Sequence, residues 1–397
     1  MGNDKMIPLE KALEILLDSV HQIREAEPTE LFHATNRILA QDVRADRDQP
    51  AFNKSAMDGF ACKKSDLSEQ LEVIDEIPAG SIPLKKIDHK QCARIFTGGM
   101  VPEGADIVVK VEETKQCGIN KVEITGKNPS ENIIYQSEHA MAGDVLLNKG
   151  LKLNPFHIGV MASCGISRPL VYRKPIVGIL STGSELIEPH QKPSPPMIRN
   201  SSAFQLYSQL LSSSCEPNYI GIIPDDREEM KLYNSKAIPE CDFIILTGGA
   251  SVGDYDFVRD VFSDLGADER ISRIAIKPGK PFIYAKIENN YLFGLSGNPV
   301  SASVQFELLL KPFIRKLTGN EEDQTTLSLP LAKSMKRKNS DRVYYFPIKI
   351  TDNSMAEPLE YHGSDHISAF EKADGLASMP AGKSEINKGD LIDVRQI

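Results

Sequence analysis

Between Pro175 and about Asn320 the chain repeats one pattern: a short apolar run, a turn of glycine, proline or polar residues, then apolar positions at helical spacing. Ile176-Val177-Gly178-Ile179-Leu180 is apolar without alternation, which predicts a strand buried on both faces. After a proline-bearing loop (Pro189, Pro193, Pro195, Pro196), Asn200 stands where it can cap a helix whose Ala203, Phe204, Tyr207, Leu210 and Leu211 share one face. A strand over 219–223 and a helix opened by Asp225-Asp226 follow. A second buried strand, Phe243-Ile244-Ile245-Leu246, then leads to a helix from about Asp256. Asn298-Pro299 reads as a cap with proline in the first helical position, for a helix running toward Lys311. Strands alternating with helices predict a mostly parallel, doubly wound sheet that binds ligands outside the carboxyl ends of its strands.

The flanking regions are patterned differently. Ala12, Leu13, Leu16, Leu17 and Val20 share a helical face, and the first 45 residues read as mostly helical. Residues 46–145 alternate short apolar pieces (71–74, 92–96, 107–109, 121–124) with proline and glycine turns, the signature of a β-rich insert. One helix is expected near 155–164, in a segment that can rejoin the N-terminal residues. The last 70 residues, with apolar runs at 342–350 and 391–394, read as a small β domain. The expected organisation is a multidomain α/β plus β chain. Its parts are a discontinuous N-terminal domain (1–45 and 146–175), a β-rich insert (46–145), the α/β domain (176–325) and a C-terminal β domain (326–397).

Composition narrows the function. The 397 residues are 41% hydrophobic and 25% charged, as in soluble globular proteins. Subtracting 55 acidic from 46 basic residues leaves −9, which argues against a nucleic-acid or anionic-membrane binder but leaves room for a local anion site. Six scattered cysteines form no CxxC, and no run approaches a membrane span, so a reduced, cytoplasmic protein is expected.

Candidate chemistry gathers at one sheet edge. Two glycine-bearing turns follow the buried strands: Ser181-Thr182-Gly183-Ser184-Glu185, and Thr247-Gly248-Gly249-Ala250-Ser251-Val252-Gly253-Asp254-Tyr255-Asp256. Glycine lets backbone N–H groups approach a phosphate, and neighbouring hydroxyls add donors. Either turn alone could be an ordinary strand–helix connection; together they favour an anion site. Glu185, Asp225, Asp226, Asp254 and Asp256 lie at the same edge, and a few carboxylates with phosphate oxygens suit Mg²⁺. Asp225 or Asp226 is equally expected at a helix N-terminus in any protein. Lys277-Pro278-Gly279-Lys280-Pro281 supplies opposite charge. The stretch holding Lys333, Lys336, Arg337, Lys338 and Arg342 reads as mostly solvated loop, with Arg342 singled out. Gly382-Lys383-Ser384 lacks the first glycine of a P-loop, and His362 with His366 lacks a zinc-protease helix.

Six motifs occur in order: Ser55-Ala56-Met57-Asp58-Gly59-Phe60-Ala61, Arg94-Ile95-Phe96-Thr97-Gly98-Gly99, the two glycine turns, the lysine turn, and Gly297-Asn298-Pro299-Val300-Ser301-Ala302. Together, over almost the whole chain, they resemble the MoeA-type molybdopterin molybdenumtransferases, relatives of the gephyrin E domain. The resemblance implies a four-domain subunit in a homodimer, an α/β domain of molybdopterin-binding type, and a Mg²⁺-dependent reaction. In that reaction adenylylated molybdopterin and molybdate yield molybdenum cofactor and AMP, and other cofactor-synthesis proteins are possible partners. It points to Asp58, Glu185, Asp256, Lys277 and Lys280 as catalytic, and to Glu185, Asp225 and Asp256 as metal carboxylates. Thr97, Thr182, Gly183, Gly248, Gly249, Ser251, Gly253, Pro281, Arg342 and Ser364 are the implied ligand-binding positions. Because Asp58 belongs to the insert, the cleft is expected to be completed by the second subunit. Two departures stand out: residues 132–139 lack the usual Arg and Asp, and Leu295-Ser296-Gly297-Asn298-Pro299 replaces Leu-Pro-Gly-Asn-Pro. A non-catalytic pterin-binding or scaffold protein is the alternative, and a pterin adenylyltransferase a third reading.

Overall fold

The strand–helix repeat closes into a six-stranded sheet: β1 (Ile176–Thr182), β2 (Glu216–Ile223), β3 (Phe243–Thr247), β4 (Asp268–Arg273), β5 (Pro281–Ile287) and β6 (Asn290–Leu295), in the order β2-β1-β3-β6-β5-β4. The computed structural model describes residues 6–249, 257–320 and 326–397. β2, β1, β3 and β6 are parallel. Only Glu288 and Asn289 separate β5 from β6, which forces a hairpin, so β5 runs against β6 and β4 against β5. The sheet is therefore mixed.

Side chains alternate between the two faces. Val177, Ile179, Phe243, Ile245 and Phe293 meet α1 (Leu9–Asp18), α3 (Ser202–Ser212), α6 (Pro299–Gln305) and α7 (Lys311–Thr318) on one side. Leu180, Ile244, Leu246 and Leu292 meet α4 (Arg227–Ala237) and α5 (Val258–Asp264) on the other. A π-helical segment, Phe306–Leu310, joins α6 to α7. α2 (Pro155–Ser163) belongs to a separate apolar cluster with Ala34, Leu39, Val43 and Leu147.

The N-terminal residues are less helical than their apolar spacing predicts. α1 ends at Asp18, after which Ala26–Pro28 pairs with Leu170–Tyr172 and Val43–Arg44 with Val145–Leu147. Backbone partners distant in sequence decide these short strands, and periodicity carries no trace of them.

The insert forms a second six-stranded sheet, ordered Ile107–Lys110, Gly59–Cys62, Gln91–Ile95, Gln70–Ile77, Lys121–Ile124, Thr114–Gly118, with apolar clusters on both faces. A third sheet holds Val343–Ile350, Gly375–Met379, Leu391–Gln396 and Thr326–Pro330. Its edge is Ile276–Lys277, which pairs in parallel with Val343 and Tyr344. The C-terminal sheet is thereby fastened to the lysine turn. The chain is a multidomain α/β plus β fold, and among the described residues no helix is long and apolar enough to cross a membrane.

Candidate functional site

The site begins where β1 and β3 end. Their parallel register sets Ser181 opposite Thr247, with the two hydroxyl oxygens 2.8 Å apart, so both glycine turns open on one edge. Gly248 has φ +91°, and a Cβ there would lie 2.1 Å from the Thr182 carbonyl oxygen. No other residue fits. At Gly183 (φ +153°) a Cβ would lie 2.8 Å from the Glu185 carboxylate, which therefore sits directly over the turn.

The neighbouring aspartates divide two tasks. Asp226 caps α4, its carboxylate accepting the N–H groups of Glu228 and Glu229, each at 3.0 Å. Asp225 instead faces the first turn, where its carboxylate accepts the Thr182 hydroxyl and, at 3.0 Å, the Ser184 N–H. Of the two readings open for this pair, the helix cap is Asp226 and the site carboxylate is Asp225.

The cationic wall comes from a different layer. Lys277 lies on the edge strand of the C-terminal sheet, its ammonium 5.8 Å from the centroid of the Tyr344 ring. Lys277 and Lys280 are exposed, while Pro278 and Gly279 between them are buried. The Arg342 guanidinium donates to the Ile276 carbonyl at 3.4 Å. Arg337 is no solvated loop charge: its guanidinium donates to the carbonyls of Arg342 (2.7 Å), Pro380 (2.6 Å) and Lys383 (2.8 Å), so it holds the segment that presents Arg342. Ser364 is pinned to the start of α6, its hydroxyl accepting from the Asn298 amide at 3.0 Å and its carbonyl from the Val300 N–H at 3.0 Å.

These pieces enclose one cleft of about 1030 Å³. Thr182, Gly183, Glu185, Asp225, Gly248 and Gly249 give it an acidic, glycine-lined part, and Lys277, Lys280, Pro281, Arg342 and Ser364 line it too, most of them cationic or hydroxyl-bearing. Two carboxylates beside a cleft with room for ligand oxygens suit a hard divalent cation. Among the described residues no three metal-ligating side chains come together. Ser251, Gly253 and Asp256 lie outside the described residues.

Asp58 and Thr97 are brought to each other but not to the cleft. They occupy two adjoining exposed turns of the insert, where Asp58 Oδ1 accepts the Thr97 N–H and the Thr97 hydroxyl, both at 2.7 Å. The backbone N–H first, then the hydroxyl, hold the Asp58 carboxyl below its ordinary value. Sequence reasoning passes over Tyr344 and Tyr361, which line the cleft, and has Ser296, which lines it too, only as a departure from Leu-Pro-Gly-Asn-Pro. Asn298, read as a cap and as part of a motif of the resemblance, makes no side-chain cap bond and serves Ser364.

The chain is matched by three family models: the MoeA N-terminal region (domain I and II) over residues 7–165, a probable molybdopterin binding domain over 178–316, and the MoeA C-terminal region (domain IV) over 329–397. It is 33% identical to a molybdopterin molybdenumtransferase of Bacillus subtilis (strain 168) over 406 aligned residues, covering 98% of this chain and 93% of the relative. The Haemophilus influenzae protein of the same name is 32% identical, with 98% of each chain covered. The crystal structure of a molybdopterin biosynthesis moeA protein from Pyrococcus horikoshii OT3 superposes with a TM-score of 0.86 at 28% identity, covering 99% of this chain and 100% of that one.

Proposed function

The chain belongs to the MoeA family of molybdopterin molybdenumtransferases, and on that premise we propose that its cleft takes adenylylated molybdopterin and molybdate and releases molybdenum cofactor and AMP. The observation that carries the reading is the shared crevice: carboxylates and glycine turns line it together with lysines and an arginine. Such a ligand presents two kinds of anion. Its diphosphate bridge needs backbone donors and a counter-charge, and the glycine turns bring backbone close enough to supply the first. A Mg²⁺ held by Glu185 and Asp225, with Asp256 as a further carboxylate, would supply the second by neutralising charge on the bridging phosphate oxygens.

Molybdate, a tetrahedral dianion, falls to the cationic wall. Lys277 and Lys280 bind it as point charges, while Arg342 and the Ser364 hydroxyl orient its oxygens. As water cleaves the phosphoanhydride, leaving the phosphate on the pterin and releasing AMP, the same cations stabilise the charge that develops. Asp58 and Thr97 join the cleft of a second copy in a homodimer, which gives their exposed turns a partner. The four-part domain division and a cytoplasmic setting go with this reading.

The test is AMP release from adenylylated molybdopterin by the purified protein. Release that requires both molybdate and Mg²⁺ is expected. Its absence, beside an active relative as control, overturns the proposal, and tight pterin binding without turnover favours the scaffold alternative.

A further inference from the structure

Gln305 is the last residue of α6, fully buried, and its amide spans two turns of the cleft. The Nε2 group donates to the Gly279 carbonyl at 2.9 Å and to the Pro281 carbonyl. The Oε1 atom accepts the Ser296 N–H at 3.2 Å. Both amide hydrogens are thus committed to the lysine turn, and the oxygen to the turn after β6. The contact is also steric. Gly279 has φ +98°, and a Cβ there would lie 3.0 Å from Gln305 Cγ, so the turn rests on the glutamine stem.

What Gln305 joins is as specific as how it joins it. Gly279 lies between Lys277 and Lys280, whose side chains are exposed toward the cleft while the turn's middle is buried. The Ser296 turn, in its own right, touches the other walls. A Cβ on Gly297 would lie 3.3 Å from the Gly248 Cα; the Gly297 carbonyl accepts the Ser202 hydroxyl at 2.8 Å, and Asn298 bonds Ser364. We propose that Gln305 is a positioning residue that locks the two lysines in register with the glycine turns, and so sets the affinity of the cleft for a tetrahedral oxyanion. This deepens the proposed function and rests on its placing of molybdate at the lysine wall. Ser296 makes the link complete, because proline, the residue that the MoeA resemblance implies at this position, has no N–H to offer Oε1.

The experiment compares the full chain with Gln305→Met, Ser296→Pro and the double variant. Molybdate alone is titrated calorimetrically, and KM is measured separately for molybdate and for adenylylated molybdopterin. Methionine keeps the side chain's length and removes all three hydrogen bonds; proline removes only one. Gln305→Met is expected to weaken molybdate binding at least about ten-fold, with the pterin KM within about two-fold. Ser296→Pro is expected to weaken it about two- to five-fold, and to add nothing in the Gln305→Met background. Unchanged molybdate affinity in Gln305→Met, equal loss of both KM values, or effects that multiply in the double variant overturn the proposal. Should Gln305→Met fail to fold, Ser296→Pro decides alone. A wild-type protein that binds no molybdate also overturns it. One that binds molybdate without releasing AMP overturns the proposed reaction and leaves the role of Gln305 standing.

Discussion

Asp225 and Asp58 are held by the same device in two different settings. Each carboxylate accepts one backbone N–H and one threonine hydroxyl: Ser184 and Thr182 for Asp225, Thr97 for both bonds of Asp58. Asp225 stands beside the first glycine turn in a cleft that cations also line, whereas Asp58 sits on an exposed turn of the insert and lines no part of that cleft. A fixed carboxylate is therefore only half of a site. The other half is the facing surface, and in the α/β region the C-terminal sheet supplies it by taking Ile276–Lys277 as its own edge strand. Among the described residues the insert sheet makes no comparable pairing.

If the facing wall is what separates the two settings, removing it should produce the largest effect. Lys277→Ala is expected to lower the rate of molybdate-dependent AMP release at least ~100-fold, about 3 kcal/mol of transition-state stabilisation, with the fold intact. A rate within about three-fold of wild type would break the comparison at its stronger end. Gly248→Ala tests the acidic side through its backbone. An alanine Cβ would overlap the Thr182 carbonyl in a left-handed conformation, so stability should fall by about 2–3 kcal/mol in denaturant titration. A smaller loss would mean that the turn can shift away from Thr182.

Asp58 is tested by asking where its facing wall comes from. If a second copy provides it, Asp58→Ala and Lys277→Ala damage the same composite site from opposite chains. Reassembled as a statistical mixture, half the dimers carry one intact site, so activity should recover to about a quarter of wild type. Recovery no greater than the sum of the two single variants would place Asp58 outside any shared site.

The same contrast explains what was legible in the sequence. The apolar runs of β1 and β3 and the glycines after them are local signals, and each maps onto the observed strand and turn. Glu185 belongs to the first of those turns, while Asp225 is legible only as one of a pair opening the helix after β2. The mixed character of the sheet turns on a two-residue hairpin between β5 and β6 that carries no marked turn signature. The short strands near 26–28 and 43–44 depend on partners far along the chain. Gln305 and Arg337 read as an ordinary helix residue and a loop cation; only the carbonyls they serve reveal their work. The positions of Lys277 and Arg342 at the cleft likewise come from sheet pairing between distant segments, and that of Ser364 from its bonds to Asn298 and Val300, none of which periodicity can report.

The smallest effect concerns the grip on Asp58 itself. Its carboxyl is held below the ordinary value by the Thr97 N–H and, second, by the Thr97 hydroxyl. A depressed carboxylate favours the folded turn above its unfolded pKa, and that contribution is lost as pH falls through the folded value. Thr97→Val removes the hydroxyl and keeps the N–H, so the Asp58 pKa should rise only part of the way toward normal, as measured by carboxyl NMR titration. The acid limb of turnover should move upward with it if Asp58 acts ionised in a partner's cleft. Because Asp58 is exposed in the single chain, global stability near neutral pH should hardly change. A full return to the ordinary value would assign the whole grip to the hydroxyl, and the likeness to Asp225 would then reduce to a threonine contact. An unmoved titration would assign it all to the backbone, and Thr97 would matter at Asp58 only for the conformation of its turn.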